Sequence, residues 1–164
     1  MLEGAEVVKL EPRHAAIVSH IRRADVEEIW AGVGIPPALA VGFSVATSDP
    51  GWAVELHGEP VAVFGVRRVP DVVGKGRRVR VPWLVATDVI ERYPVHFYRV
   101  SKDIIADMRS RYEYLENWVD ARNALSVRWL RWAGFTVGEP EPWGAAGMGF
   151  QRFWWKNEEI REVV

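Results

Sequence analysis

The sequence predicts an α/β (α+β) fold in which helices flank a central mixed, mostly antiparallel sheet. The predicted elements follow the order β-α-α-β-β-β-α-β-α-β-β, and a short hairpin joins the second and third strands. A chain of 164 residues has the length of one domain. Neither an internal repeat nor a linker interrupts the pattern, so we predict a single domain over residues 1–164.

Element boundaries are predicted from hydrophobic periodicity and turn residues. Strands are predicted at Ala5–Leu10, Trp52–Leu56, Pro60–Val66, Val79–Ala86 and Tyr112–Val119, from Phe135 onward, and at Phe150–Lys156. Helices are predicted at Arg13–Arg23, Val26–Val33 and Ala38–Thr47, and from near Pro94 and Ala124 onward. Asp25 and Glu28 have the spacing of a capping box for the second helix. Residues 48–51 and the proline-rich residues 139–142 are predicted to be connections.

Composition narrows the functional classes. Apolar residues make up 49% of the chain and charged residues 26%, as in an ordinary water-soluble globule. The net charge of −1 excludes bulk attraction to nucleic acid. The absence of cysteine excludes a thiol nucleophile, and the four histidines share no metal-ligand spacing, so no metal site is predicted. No membrane segment or signal peptide is predicted, and the expected location is the cytoplasm.

The stretch Tyr112–Phe135 contains the most specific pattern in the chain. A β-rich run is followed by polar residues, and Asn123 is well suited to cap the helix that starts at Ala124. Gly134 is predicted to end this helix, because glycine adopts the left-handed conformation without a Cβ penalty. The apolar positions assigned to the buried face of the helix are Val127, Leu130, Trp132 and Ala133.

This order resembles the last motif of the GNAT superfamily, the Gcn5-related N-acetyltransferases. The corresponding positions of this chain are Asn123, Ser126, Val127, Leu130, Gly134 and Phe135, and all but Leu130 fit. Leu130 stands where the family often has a tyrosine that protonates the departing thiolate of coenzyme A. The resemblance implies a GNAT fold, acetyl-CoA as cofactor and transfer of an acyl group to an amine.

The resemblance also implies where acetyl-CoA would bind. The candidate cofactor-binding residues are Val85, Ala86, Thr87, Arg92 and Asn123. In the family, a glycine-containing loop before the long helix holds the pyrophosphate, and here that place is Thr87–Pro94. This segment has no glycine and carries Asp88 and Glu91, whose charges would repel a pyrophosphate, so we expect weak or absent acetyl-CoA binding.

Three residues are candidate catalytic groups. Asp88 ends the strand that often supplies the base in the family, although it could instead cap the next helix. Glu28 lies on the segment that lines the acceptor side of such folds, although a capping role is the alternative. Tyr114 could donate a proton, although tyrosines in strands are more often core residues.

Two further segments suggest partners. Arg67, Arg68, Lys75, Arg77, Arg78 and Arg80 form a basic stretch that could hold a phosphate or nucleic acid, and a solvated hairpin connection is the alternative. Alternation directs one of Trp154 and Trp155 outward, which suggests an interface such as that of a homodimer.

Phrases within Ala24–Phe135 resemble the internal virion (core) proteins of short-tailed coliphages and their prophage relatives. They include residues 24–31, 58–66, 82–88 and 115–123. This resemblance implies a phage or prophage origin, other phage structural proteins as partners, and a place in the bacterial cytoplasm or the virion. The first hypothesis is therefore a GNAT-fold phage protein with a degenerate acetyl-CoA site, and the alternative is an active N-acyltransferase.

Overall fold

A computed structural model describes residues 3–68 and 79–157 of the chain. The strands are β1 (Ala5–Lys9), β2 (Ser48–Leu56), β3 (Glu59–Arg68), β4 (Val79–Ala86), β5 (Tyr114–Asp120), β6 (Thr136–Trp143) and β7 (Met148–Lys156). The helices are α1 (Arg23–Gly32), α2 (Pro37–Thr47), α3 (Val89–Arg92), α4 (Pro94–Arg111) and α5 (Ala124–Trp132). A 3₁₀ helix covers Pro12–His20.

The strands form one seven-stranded sheet in the order β1-β2-β3-β4-β5-β7-β6. All neighbouring strands are antiparallel except β4 and β5, which are parallel. The connection from β4 to β5 runs through α3 and α4, as a parallel pair requires. The predicted mixed, mostly antiparallel sheet flanked by helices is confirmed.

The sheet has a hydrophobic core on each face. On one face, α4 and α5 pack onto the sheet through Phe97, Ile105, Met108 and Leu130, among others. On the other face, the 3₁₀ helix and α2 form a smaller cluster that includes Ile17 and Val63. Both cores contain residues of β3 and β4, so these two strands are packed on both faces.

The helix predicted over Arg13–Arg23 is a 3₁₀ helix. Ala16 and His20 are exposed in it, and the buried residues are His14 and Ile17. These two lie three residues apart, which is one turn of a 3₁₀ helix, whereas the prediction assumed the α-helical period. The imidazole of His14 lies 2.7 Å from the carboxylate of Glu55, which fixes this segment to β2.

Neither predicted cap makes a capping hydrogen bond, and only Asn123 occupies the predicted N-cap position. Helix α1 begins at Arg23, so Asp25 and Glu28 lie inside it rather than at its start, and both side chains point toward the sheet. Asn123 does occupy the N-cap position of α5, but its side chain makes no capping bond. It bonds to side chains of the 3₁₀–α1 region instead. In each case a tertiary partner takes the polar group that the local pattern assigned to the helix end.

The buried face of α5 differs by one residue from the prediction. Trp129 is buried at 5% exposure and donates its indole N–H to Ser101 at 3.0 Å. Trp132, which was assigned to the core, is 48% exposed and stacks on Tyr98. An apolar count along the sequence could not distinguish the two tryptophans, since both lie near the same helical stripe.

Two predicted connections are parts of strands. Residues 48–51 begin β2, and the proline-rich residues 139–142 belong to β6. Proline is tolerated in β6 because this strand lies at the edge of the sheet, where the missing N–H needs no partner. Most of the predicted basic stretch, residues 69–78, lies outside the described residues.

Helix length also bears on membrane insertion. Within residues 3–68 and 79–157, no single helix has the length and apolar character to cross a bilayer. The pair α1 and α2, bent by 84°, meets these criteria only when the two helices are taken together.

A glycine in β3 gives room to a tryptophan of β4, which leads to a stability prediction. A Cβ atom at Gly65 would lie 2.5 Å from Nε1 of Trp83, whose indole N–H donates to Ser48 at 2.6 Å. We therefore expect Gly65→Ala to lower the free energy of unfolding by about 1–3 kcal/mol, measured by urea denaturation. The control is Gly42→Ala in α2, where the new Cβ meets nothing within 4 Å. This variant should be as stable as the wild type or more stable, by up to about 1 kcal/mol. Equal stability of the two variants would contradict the packing described here.

Candidate active site

Strands β4 and β5 are joined over a short distance only. Their ladder contains two residue pairs, Val79 with Tyr114 and Arg80 with Leu115. Beyond these pairs a cavity of about 90 Å³ lies between the strands, closed by α1, α4 and α5. It is smaller than the roughly 150 Å³ cavity that accepts benzene in an engineered protein, so its free space suits a short acyl group. Its wall includes Glu28, Leu84, Asn117, Trp118, Ser126 and Leu130.

The backbone of β4 presents alternate residues to this cavity. The N–H of Thr87 donates to the carbonyl of Val61 in β3, so odd-numbered residues of β4 bond to β3. Pro82, Leu84 and Ala86 therefore direct their backbone polar groups toward β5. Because Pro82 has no N–H, the strand cannot continue the ladder with β5 at this position.

Pro82 and Ala86 bond through these outward groups to Asn117, Asp25 and Arg22. Asn117 donates its side-chain amide to the carbonyl of Pro82 at 2.8 Å. The N–H of Ala86 donates to Asp25 at 2.9 Å, and its carbonyl accepts the N–H of Arg22 at 2.8 Å. Leu84 lies between Pro82 and Ala86 and lines the cavity, so its N–H and carbonyl are directed at the cavity.

A buried charged cluster lies at the end of β4. The guanidinium of Arg22, which is 3% exposed, donates to Asp25 at 3.1 Å, Glu91 at 2.8 Å and Asn123 at 3.2 Å. Asn123 also donates to Asp25 at 3.3 Å. Burial raises the pKa of Asp25, and the charge of Arg22 acts against that shift. We call these four residues the Arg22 cluster; it joins α1, α3 and the start of α5.

Glu28 is the one ionisable side chain among the described residues that line the cavity. Its carboxyl group accepts the N–H of Asp120 at 2.7 Å. Burial, with the charges of Asp25 and Asp120, raises the pKa of Glu28 to about 8. Glu28 is therefore mostly protonated at neutral pH, and its carboxylate form could accept a proton from a group inside the cavity.

The other two predicted catalytic residues lie outside the cavity wall. Asp88 is exposed at the start of α3, where its carbonyl accepts the N–H groups of Glu91 and Arg92. Tyr114 lies at the closed end of the β4–β5 pair, and its hydroxyl accepts a hydrogen bond from Arg152 at 2.6 Å. The structure thus brings Glu28 to the cavity and separates it from Asp88 and Tyr114.

The predicted cofactor-binding residues surround the end of β4. Val85 is buried in the core on the α2 side, and Ala86 is bonded to the Arg22 cluster. The hydroxyl of Thr87 lies 3.4 Å from the N–H of Val89. Arg92 is exposed at the end of α3. The side chain of Asn123 is part of the Arg22 cluster, so of these candidates only Arg92 presents a charged side chain to solvent.

The segment Thr87–Pro94, which was predicted to bind pyrophosphate poorly, forms hydrogen bonds within itself. The N–H groups of residues 90–93 donate to the carbonyls of Thr87, Asp88 and Val89 over 3.0–3.3 Å. These amides are therefore engaged within the turn and α3. The described conformation offers no amide of this run to an anion.

Sequence reasoning missed the role of Arg22 and Asp25. Asp25 was assigned to a capping box, and Arg22 was assigned no role. The spacing of Arg22, Asp25 and Glu28 places them on one face of a helix, which was the available signal. A face carrying three charged residues toward a sheet is recognisable only when the position of β4 is known.

Solved structures resemble this chain along nearly its whole length. The structure of yncA from Salmonella typhimurium with its cofactor acetyl-CoA superposes with a TM-score of 0.68 at 11% identity, covering 97% of this chain and 98% of that one. The GNAT domain of S. lividans PAT gives 0.65 at 16%, with 93% and 90% covered. AAC(6')-Ib in complex with ribostamycin and coenzyme A gives 0.67 at 12%, with 99% and 100% covered.

These similarities establish the fold. The chain has the mixed α/β fold of GNAT acetyltransferases, with a seven-stranded, mostly antiparallel sheet. No family model and no curated protein matches the sequence. The resemblance to phage internal virion proteins therefore remains a prediction.

The Arg22 cluster leads to a prediction about stability. Asp25→Ala would leave Arg22 with less negative charge around it and the N–H of Ala86 without an acceptor. We expect the free energy of unfolding to fall by about 3 kcal/mol, measured by denaturant titration. The control is Glu27→Ala, which removes an exposed ion pair with Arg23 in the same helix and should change stability by less than about 0.5 kcal/mol. A loss at Asp25 no larger than the loss at Glu27 would contradict the role given to the cluster.

Proposed function

We propose that this protein is an acyl-coenzyme A-dependent N-acyltransferase in which Glu28 is the general base. The observation that carries the proposal is the position of Glu28. A carboxyl group with a pKa of about 8 lies in the cavity between β4 and β5, within the fold shared with proteins solved with acetyl-CoA or coenzyme A. A base with a pKa near the working pH is well suited to proton transfer.

The residues present fit the thioester end of acyl-coenzyme A. The N–H and carbonyl of Leu84 are directed at the cavity and could bond to an amide of the coenzyme arm. Ser126 and Leu130 provide a small hydroxyl and an apolar surface beside them. Arg92 would meet the pyrophosphate, since the amides of residues 90–93 are engaged. The bound thioester supplies the activated acyl group.

Glu28 performs the proton chemistry of this proposal. As a carboxylate it accepts a proton from the acceptor amine, which makes the nitrogen nucleophilic. The N–H of Asp120 holds the carboxyl group in place at 2.7 Å. The mostly apolar wall limits water around it, which keeps the acceptor nitrogen poorly solvated during transfer.

Among the described residues that line the cavity, no tyrosine is available to protonate the leaving group. Leu130, at the position where the family often has that tyrosine, is 5% exposed and lines the cavity. Ser126, one helical turn earlier, is the hydroxyl among the described wall residues. We assign it the role of hydrogen-bond donor at the leaving sulfur. Positioning contributes much of the rate in such a reaction, so a weak donor is compatible with turnover.

A second candidate function is a structural role without acyl transfer, in a phage particle or its assembly. The observation that favours it is the closed edge of β4. Asp25 and Arg22 bond to Ala86, and Asn117 bonds to Pro82, at positions where a coenzyme arm would otherwise pair with the strand. The proposed location for both functions is the cytoplasm of a bacterial host, with the virion as the second possibility for the structural role.

The proposal predicts how activity depends on pH. Only the carboxylate form of Glu28 accepts a proton, so kcat/KM should rise with pH and level off above about 8. An arylamine acceptor, which is uncharged over this range, removes the titration of the substrate. Glu28→Gln should lower kcat about 10²–10⁴-fold and abolish this pH dependence. Released coenzyme A can be followed with a thiol reagent without background, since the chain has no cysteine.

The controls separate the two candidate functions. Glu27→Gln changes the neighbouring carboxylate, which points away from the cavity, and should leave the rate unchanged. Calorimetric titration with acetyl-CoA should give equal binding to the wild type and to Glu28→Gln. A wild type that binds no acetyl-CoA at millimolar concentration would contradict the enzyme and favour the structural role. Binding with a Glu28→Gln variant of full activity would refute the base assignment alone.

A further inference from the structure

We propose that the acceptor is a primary amine carried on an aromatic body, held against an aromatic wall of Trp118 and Trp143 that packs on the buried ring of Phe150. This inference rests on the proposed function, because it names the acceptor class for the cavity that contains Glu28. Trp118 lines that cavity together with Glu28. Trp143 of β6 stacks on Trp118 of β5, and Phe150 of β7 packs against Trp143.

The rings of the aromatic wall form a continuous set of contacts. The ring centroids of Trp118 and Trp143 lie 5.0 Å apart with planes 12° apart, a stacked pair. Trp143 and Phe150 lie 5.1 Å apart and tilted. Trp118 and Trp143 keep part of their surface exposed, whereas Phe150 is buried beneath them. Flat aromatic surfaces of this kind favour stacking with a planar apolar group.

The end of α1 fixes the wall relative to Glu28. A Cβ atom at Gly32 would lie in ordinary van der Waals contact with Phe150 at 3.4 Å and Trp143 at 3.5 Å, so both rings pack directly against this end of α1. The loop between β6 and β7 is tied to the same helix end, since the N–H of Ala145 donates to the carbonyl of Gly32 at 3.0 Å. Gly32 is four residues, about one helical turn, from Glu28.

The charges around the site argue against a polycationic acceptor. The two carboxylates whose charges act on Glu28 are each paired with an arginine: Asp25 with Arg22 at 3.1 Å, and Asp120 with Arg122 at 2.7 Å. Glu116, two residues before Trp118 on β5, is paired with Arg152 at 2.5 Å. These pairs leave Glu28 to receive one amino group, and the rest of the acceptor meets uncharged aromatic surface.

The test compares amines and two tryptophan variants. 2-Phenylethylamine, spermidine and kanamycin are titrated calorimetrically without any acyl donor and are then compared as acceptors with acetyl-CoA present. We expect 2-phenylethylamine to bind more tightly and to have the highest kcat/KM. Trp118→Ala should weaken its binding at least tenfold, and Trp118→Phe should restore most of it. Trp132→Ala, at an exposed tryptophan on α5, should have no effect.

Each outcome bears on the inference separately from the proposed function. If no amine is acylated because acetyl-CoA does not bind, the donor-free titration still decides whether the aromatic wall selects the amine. Preference for spermidine or kanamycin would overturn the inference while leaving the acyltransferase proposal intact. Equal effects of Trp118→Ala and Trp132→Ala, or no binding of 2-phenylethylamine, would also overturn it.

Discussion

The separation of β4 from β5 is the constraint on which the rest of the structure depends. Two residue pairs join the strands, and then Pro82 faces β5 without an N–H to donate. A proline inside a central strand ordinarily removes a ladder bond from the sheet. Here its ring lies on the side where the ladder has ended, so β3 and β4 remain fully paired while the other edge opens. The cavity between the strands follows from this local chemistry.

The separation leaves backbone N–H and carbonyl groups of β4 unpaired with β5, and their surroundings differ along the strand. At the end of β4, the Arg22 cluster satisfies both backbone groups of Ala86 and buries Asp25 together with Arg22, while Glu91 bonds to Arg22 from the solvent side. Nearer the middle, the backbone of Leu84 faces a largely apolar space that contains one carboxyl group, that of Glu28. The hydrogen-bonded Arg22 cluster makes the end of β4 rigid, whereas Glu28, with its raised pKa, provides a reactive group inside the cavity. The same cluster occupies backbone groups of β4 to which a coenzyme could otherwise bond. Titration with acetyl-CoA tests whether the coenzyme binds despite this.

The fold could be predicted from the sequence because its signals are local. The limits of β4 agree with the prediction, and Gly134 ends α5 with a φ of 91°, as a glycine C-cap should. The errors occurred where a tertiary partner outweighed a local preference. Asn123 bonds to the Arg22 cluster rather than to the N-terminus of α5, and the proline-rich strand β6 is stable because it lies at an edge.

The candidate site could be predicted only in part. Glu28 was named as a candidate, but its spacing with Asp25 also matches a capping box, and only the packing of α1 against β5 distinguishes the two roles. The raised pKa arises from burial and from charges 3 and 92 residues away in the chain, which no local pattern contains. Trp118, Trp143 and Phe150 come from three strands and pack together only after the sheet has been assembled.

The most direct test of this account is the titration of the Glu28 carboxyl group itself. Carbon-13 NMR of protein labelled at the glutamate side-chain carboxyl, with Glu28→Gln to assign the resonance, reports its protonation at each pH. The account predicts a midpoint near pH 8, well separated from those of exposed glutamates. A midpoint near the ordinary glutamate pKa, about 4.3, would contradict it, because Glu28 would then be a solvated carboxylate rather than a base held in the cavity between β4 and β5.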